Sequence, residues 1–284
     1  MVNVFSFCIY GPENPKYYFG LLQNIQLVQQ HFPGWKVFVY AGDDVPESYV
    51  STLSSYPFVV VRHTKEHGHI NSIHRFFAID EPDVEIMMVR DADSRIHWKD
   101  RWAIRDFLRT SYGVHVIRDH VEHTTNILAG LWGIRKHILK QPIRELYTQW
   151  TPEFAGSGDT ANPLGFGIDQ NFLKMVIYSK VKSEIFVHYS KNRLMIGEVG
   201  VEFPFEWSND TYCGRVELEY IDAFFVEHPH PRKIGLRLPN ISSRFELPQS
   251  SSQPQTVSAP VHHPSVTVPQ PSTTPLFINF LNRK

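Results

Sequence analysis

The chain has 284 residues, 42% of them hydrophobic, and a formal net charge of −1. That length can bury a full-sized core in one or two domains, and the near-neutral charge argues against non-specific binding to nucleic acid or an anionic membrane. Only Cys8 and Cys213 are present, too few for a disulfide framework, and no apolar run reaches bilayer-spanning length.

Met1–Phe7 carries no basic flank and runs straight into a strand pattern, so no signal peptide is expected and the chain reads as soluble and cytoplasmic. Val2–Tyr10 is predicted as a buried strand ending at Gly11-Pro12, and helical spacing covers Pro15–His31 through Tyr18, Leu21, Leu22, Ile25 and Val28. Trp35–Tyr40 is a second strand that ends at Gly42-Asp43-Asp44, Pro46–Ser55 a helix, and Phe58–Val61 a third strand. Asn71–Ile79 is helical, with Ile73, Phe76 and Phe77 on one stripe. Val84–Val89 is a fourth strand, Trp98–Arg109 a helix and Gly113–Ile117 a fifth strand. Strands alternating with helices predict βαβ units and a mostly parallel sheet, with ligands beyond the carboxyl ends of the strands. After Leu247 the periodicity vanishes, and seven of the twenty prolines lie between Pro248 and Pro275. We therefore expect a folded domain over 1–247, a disordered linker over 248–275 leading to a further domain or partner, and a short apolar tail over 276–284.

Chemistry concentrates where the fourth strand ends, at Asp91-Ala92-Asp93. Charge at the end of a buried strand must be solvated, paired or bound to a cation. In extended chain Asp91 and Asp93 point to one side. Two carboxylates so placed suit a hard divalent ion, Mn²⁺ or Mg²⁺, that keeps other positions for water and phosphate oxygens; the alternative is a solvated acidic turn. No glycine-rich dinucleotide loop follows the first strand and no Gly-Lys-Ser/Thr loop exists, so a bound nucleotide would have its phosphates held through metal.

This half, with Arg75-Phe76 on the preceding helix, resembles the GT-A glycosyltransferases. The segments Ile117–His123, Ile127–Gly133, Gly167–Leu173, Val187–Ser190 and Ile196–Glu198 follow in an order similar to that of small sugar-nucleotide transferases of large algal DNA viruses and related bacterial proteins. The resemblance, over about Val2–Leu247, implies a GT-A fold with a mixed, mostly parallel sheet flanked by helices. It also implies a hexosyltransferase-type enzyme moving sugar from a nucleoside diphosphate, UDP before GDP, to a hydroxyl of a glycan or glycoconjugate. A viral origin would place it in host cytoplasm.

Residue by residue, the resemblance assigns metal binding to Asp93, with Asp91 reaching ribose or a metal-bound water. A further ligand is His188, with His228 and His230 in reserve. Asp169 is the implied general base of an inverting displacement, its alternative role being a helix N-cap; retaining relatives carry a similar Asp169-Gln170 pair. Arg75 would contact the nucleotide or else pair with Asp80 or Glu81 at the surface, while Tyr10 and Gly11 cradle base and ribose. Asp43 or Asp44 would lie near the base or cap the Pro46 helix. Asp119, His120, His123, Gly130 and Gln170 fall on the sugar and acceptor side, with Trp132 offering a face to sugar or filling the core. A nucleotidylyltransferase, a metal-dependent hydrolase and a non-catalytic carbohydrate-binding module are the competing readings.

Overall fold

A computed structural model describes residues 1–150 and 165–216. The proposed linker and tail, the boundary at Leu247, and His228 and His230 lie outside the described residues. Eight strands form one sheet in the order β3-β2-β1-β4-β6-β5-β7-β8. They are β1 (Val2–Ile9), β2 (Lys36–Ala41), β3 (Val59–His63), β4 (Val84–Arg90), β5 (Val114–Arg118), β6 (Leu131–Arg135), β7 (Ile185–Tyr189) and β8 (Val199–Glu202). Every pairing is parallel except those of β6, which runs antiparallel to both β4 and β5. The α/β architecture expected from strand–helix alternation is the one observed.

Periodicity did not reveal β6, and its sequence explains why. Leu131–Arg135 is short and interrupted by Gly133, a residue that weakens a strand pattern and marks close backbone approach. A Cβ on Gly133 would fall 2.2 Å from Met88 Sδ and 2.8 Å from the Met87 carbonyl, so glycine lets β6 lie against β4.

Helices cover both faces. On one pack α1 (Pro15–His31), α2 (Glu47–Ser54) and α3 (Trp98–Leu108), whose Leu21, Ile25, Val50 and Phe107 meet Phe5, Phe7, Val37 and Met88. On the other lie a 3-10 helix (Gly68–Asp80), α4 (Ile143–Gln149) and α5 (Ile168–Phe172), which continues through a π-helical turn, Leu173–Ile177, into α6 (Tyr178–Val181). Their apolar residues surround Met87, Val89 and Trp132. The Gly68–Asp80 segment is helical as expected but wound at three residues per turn, which stacks side chains three apart. Ile70, Ile73, Phe76 and Ile79 share that spacing, and the last three are buried. Asn71, fully buried, fastens this helix to the sheet: its Nδ2 donates to the Ile9 and Tyr40 carbonyls, both at 3.1 Å. No helix among the described residues is long and apolar enough to cross a membrane.

Candidate active site

The chain reverses its direction of sheet growth at β1, with β2 on one side and β4 on the other, and crevices open at such reversals. A cavity of about 570 Å³ lies at the carboxyl ends of these strands, a size that suits a small-molecule ligand. Tyr10 enters from β1, Asp91-Ala92-Asp93 from β4, Gly130 from the approach to β6, and Asp169 and Gln170 from α5. The 3-10 helix contributes His69, Ser72 and Arg75, one row at intervals of three.

The β4 end is a turn rather than continued strand. Asn24 of α1 holds it, donating to the Ser94 carbonyl at 2.7 Å and accepting from Ile96 N at 3.0 Å. Strand alternation is therefore not what brings Asp91 and Asp93 to one cavity; the clamp from α1 sets the turn. Asp91 lies against Gly130, where a Cβ would stand 1.9 Å from its Oδ2.

Arg75 organises the acidic groups. Buried, it donates from Nη1 to Asp91 Oδ1 and from Nη2 to Asp169 Oδ2, the latter at 2.6 Å. Burial works against its charge, but Asp91 and Asp169 outweigh that cost and hold the guanidinium firmly protonated. Arg75 is thus neither a surface residue nor a partner of Asp80 or Glu81: Asp80 accepts from Ile143 N and Arg144 N, and Glu81 pairs with Arg62. Asp169 is not the helix N-cap; Gly167, at φ +84°, holds that position. Asp169 Oδ1 accepts from Gln170 N at 2.8 Å, and the Gln170 side chain bonds the Ala129 N–H and the Ile127 carbonyl, fixing the loop that carries Gly130. Asp93 pairs with Lys16 Nζ at 2.9 Å. Cys8 also lines the cavity, and burial pushes its thiol up to about 12, which keeps it protonated.

His123 also reaches the cavity; its Nδ1 accepts from Asp119 N, and burial pushes it down to about 4. Other residues singled out from the sequence lie elsewhere. Gly11 does not line the cavity, and its carbonyl accepts from Tyr18 Oη at 2.7 Å. Asp43 is exposed, 3.6 Å from His67 Nδ1. His120 packs against Tyr212, ring centroids 4.2 Å apart. Trp132 sits in the core edge-on to Phe76, so its face is closed to sugar. Asp119 is sealed, bound by Lys99 Nζ at 3.1 Å, Cys213 N at 3.0 Å and Ser190 Oγ. His188 is not brought to the carboxylates. It lies opposite Ile117 of β5, and its ring is engaged by His115 Nε2 of β5 at 2.9 Å and by Asp106 Oδ2 of α3 at 3.2 Å. Sequence reasoning missed Lys16, His69 and Ser72; the three-residue spacing of His69, Ser72 and Arg75 was the available signal for two of them.

No family model matches the chain, and no curated protein does. Among solved structures it is similar to a glycosyltransferase involved in the glycosylation of the major capsid of PBCV-1, at 14% identity and TM-score 0.42, over 66% of this chain and 81% of that one. Each likeness is one of architecture. It is similar to S. aureus TarS 1-349 at 17% identity and TM-score 0.39, over 61% of this chain and 56% of that one; TarS has also been solved in complex with UDP-GlcNAc. The apo form of the glycosyltransferase GlyE of Streptococcus pneumoniae TIGR4 matches at 15% identity and TM-score 0.44, over 64% of this chain and 44% of that one. The chain thus spans about half the length of these last two. The chain's own architecture is a mixed, mostly parallel sheet with helices on both faces.

Proposed function

We propose that the chain is a metal-dependent glycosyltransferase that moves a sugar from a nucleoside diphosphate donor, UDP by preference, to a hydroxyl of a glycan or glycoconjugate. The observation that carries this reading is the charge of the cleft. Among the described lining residues there are three carboxylates, Asp91, Asp93 and Asp169, and one guanidinium, Arg75. An anionic diphosphate would meet a net negative surface, so it needs a divalent cation to enter. The donor set fits one: two carboxylates after β4 offer hard oxygens to Mn²⁺ or Mg²⁺ and leave positions for phosphate oxygens. When bound, such an ion supplies Lewis-acid stabilisation of the departing diphosphate.

The chain's own residues then divide the work. Tyr10 and His69, whose rings meet edge to face at 5.7 Å, form an aromatic wall for the base. Asp91 and Asp93 hold the cation, and Arg75 fixes Asp91 and Asp169 relative to one another. Each carboxylate oxygen of Asp169 already accepts one bond and keeps capacity for another. In an inverting displacement the acceptor oxygen bonds the anomeric carbon, the sugar–phosphate bond breaks with its electron pair leaving on the diphosphate, and the hydroxyl proton passes to Asp169. The Gln170 clamp holds the Gly130 loop beside this point.

The test is turnover. Incubation of the protein with a panel of nucleotide sugars and Mn²⁺ is expected to release nucleoside diphosphate slowly from one donor. Asp169→Asn is expected to lower that rate at least a hundredfold. Absence of release from every donor would favour a non-catalytic binding module.

A further inference from the structure

Lys16 does not line the cavity, yet it holds one of its carboxylates. It is the second residue of α1, its backbone N–H fixed by Asn14 Oδ1 at 3.0 Å. From there the ammonium reaches Asp93 Oδ2 at 2.9 Å and lies 4.8 Å above the Tyr17 ring. The lysine side chain is 31% exposed, whereas that of Asp93 is 13% exposed. The cation therefore stands at the mouth, on the solvent side of the carboxylate it neutralises.

The two cations of the cleft differ in what they can do. Arg75 is buried and forked between two carboxylates and the Arg90 carbonyl; it cannot leave without stranding all three. Lys16 has the one carboxylate, a weak bond to Tyr17 Oη at 3.4 Å, and open water beside it. Its ammonium is a compact charge on a flexible stem, with no fork geometry to lose. A divalent cation and this ammonium cannot share Asp93 Oδ2, because their mutual repulsion at contact distance exceeds what one carboxylate returns. Among the described lining residues, loss of the Lys16 charge leaves three carboxylates outnumbering Arg75 by two, the charge of one divalent ion.

We infer that Lys16 is an exchangeable counter-ion: it neutralises Asp93 when no divalent cation is bound, yields that carboxylate to the metal, and turns its ammonium to the phosphate oxygens arriving with it. This rests on the metal-dependent reading above. Lys16 then makes metal and diphosphate bind cooperatively, since metal alone must displace the lysine with nothing to receive it, while the pair gives it a new partner.

The experiment measures Mn²⁺ binding alone by electron paramagnetic resonance of the free ion, and UDP binding by calorimetry with EDTA or with saturating Mn²⁺. In Lys16→Met, Mn²⁺ alone is expected to bind about tenfold tighter, UDP in EDTA several-fold weaker, and the gain in UDP affinity on adding Mn²⁺ to shrink. Lys16→Arg, which keeps the charge, is expected to restrain Mn²⁺ as the wild type does. Unchanged or weaker Mn²⁺ binding in Lys16→Met, alongside Mn²⁺-dependent UDP binding in the wild type, would overturn the role of Lys16 and leave the metal reading standing. If neither protein binds Mn²⁺ with or without UDP, both are overturned.

Discussion

The two strands that flank β6, β4 and β5, both lead into carboxylates, and they end in different physical worlds. After β4, Asp91 is 45% exposed in its side chain and faces an open cavity. After β5, Asp119 is fully buried, with a lysine, a hydroxyl and a backbone N–H taking up its oxygens. Sequence presents the two alike, an apolar run followed by acid. What separates them is saturation. Asp119 already accepts three bonds from the protein, and its backbone carbonyl also takes Trp207 Nε1 at 2.9 Å. It pins the 203–216 segment to the end of β5. The β4 carboxylates retain lone pairs toward the cavity, and their cations stand beside them rather than around them.

The largest effect expected from this contrast is on stability. Asp119→Ala strands Lys99, whose side chain is fully buried, and breaking such a pair costs about 3–5 kcal/mol. A fall of about 10 °C or more in thermal midpoint is expected. A shift of a degree or two would show that the β5 end is not sealed as described.

Acid sharpens the same division. Burial holds His115 well below its ordinary value and pushes His188 down to about 4, outweighing the neighbouring Asp106. Unfolded, both titrate near 6.5. Their contribution is complete above that pH and is lost as pH falls from about 6.5 toward 4, with a slope of about 1.4 kcal/mol per pH unit for each histidine that must stay neutral. Denaturant midpoints measured from pH 7.5 to 4.5 check this, and a midpoint that rises on acidification contradicts it.

On the cleft side, Gly130→Ala puts a methyl where Asp91 Oδ2 lies. Displacement of that carboxylate is expected to weaken Mn²⁺–UDP binding about tenfold while the thermal midpoint moves far less than in Asp119→Ala. Calorimetry with a parallel melting curve separates the two. The smallest effect is expected at His188. Because both its ring nitrogens are engaged away from the cavity, His188→Gln should change Mn²⁺ affinity by less than twofold. A tenfold loss would return it to the ligand set.

The strand and helix order was legible because each apolar run is bounded by glycine, proline or acid, and α1 matches its predicted limits, Pro15–His31. The 3-10 winding of Gly68–Asp80 was not seen, since Ile73, Phe76 and Phe77 satisfy a 3.6-residue stripe as readily as a three-residue row. Asp91 and Asp93 stood out through the cost of charge at a strand end. Arg75 was singled out, but its bridge to Asp169 spans 94 positions and no local pattern encodes it. The resemblance assigns Asp119 and His188 to the ligand and leaves Trp132 between sugar and core, because polar or aromatic residues at strand ends look identical whether neighbours close over them or not. Lys99, Phe76 and Asp106, which close over them, are remote in sequence.

The measurement that bears most directly on the account is calorimetric titration of UDP into wild type and Asp93→Ala, each with and without Mn²⁺. UDP is expected to bind the wild type at least tenfold tighter with Mn²⁺ than without, and Asp93→Ala to lose that gain while keeping its thermal midpoint within about 3 °C. Equal UDP affinity with and without the metal, unchanged in Asp93→Ala, would contradict the proposal that the β4 carboxylates clamp a diphosphate through a divalent cation.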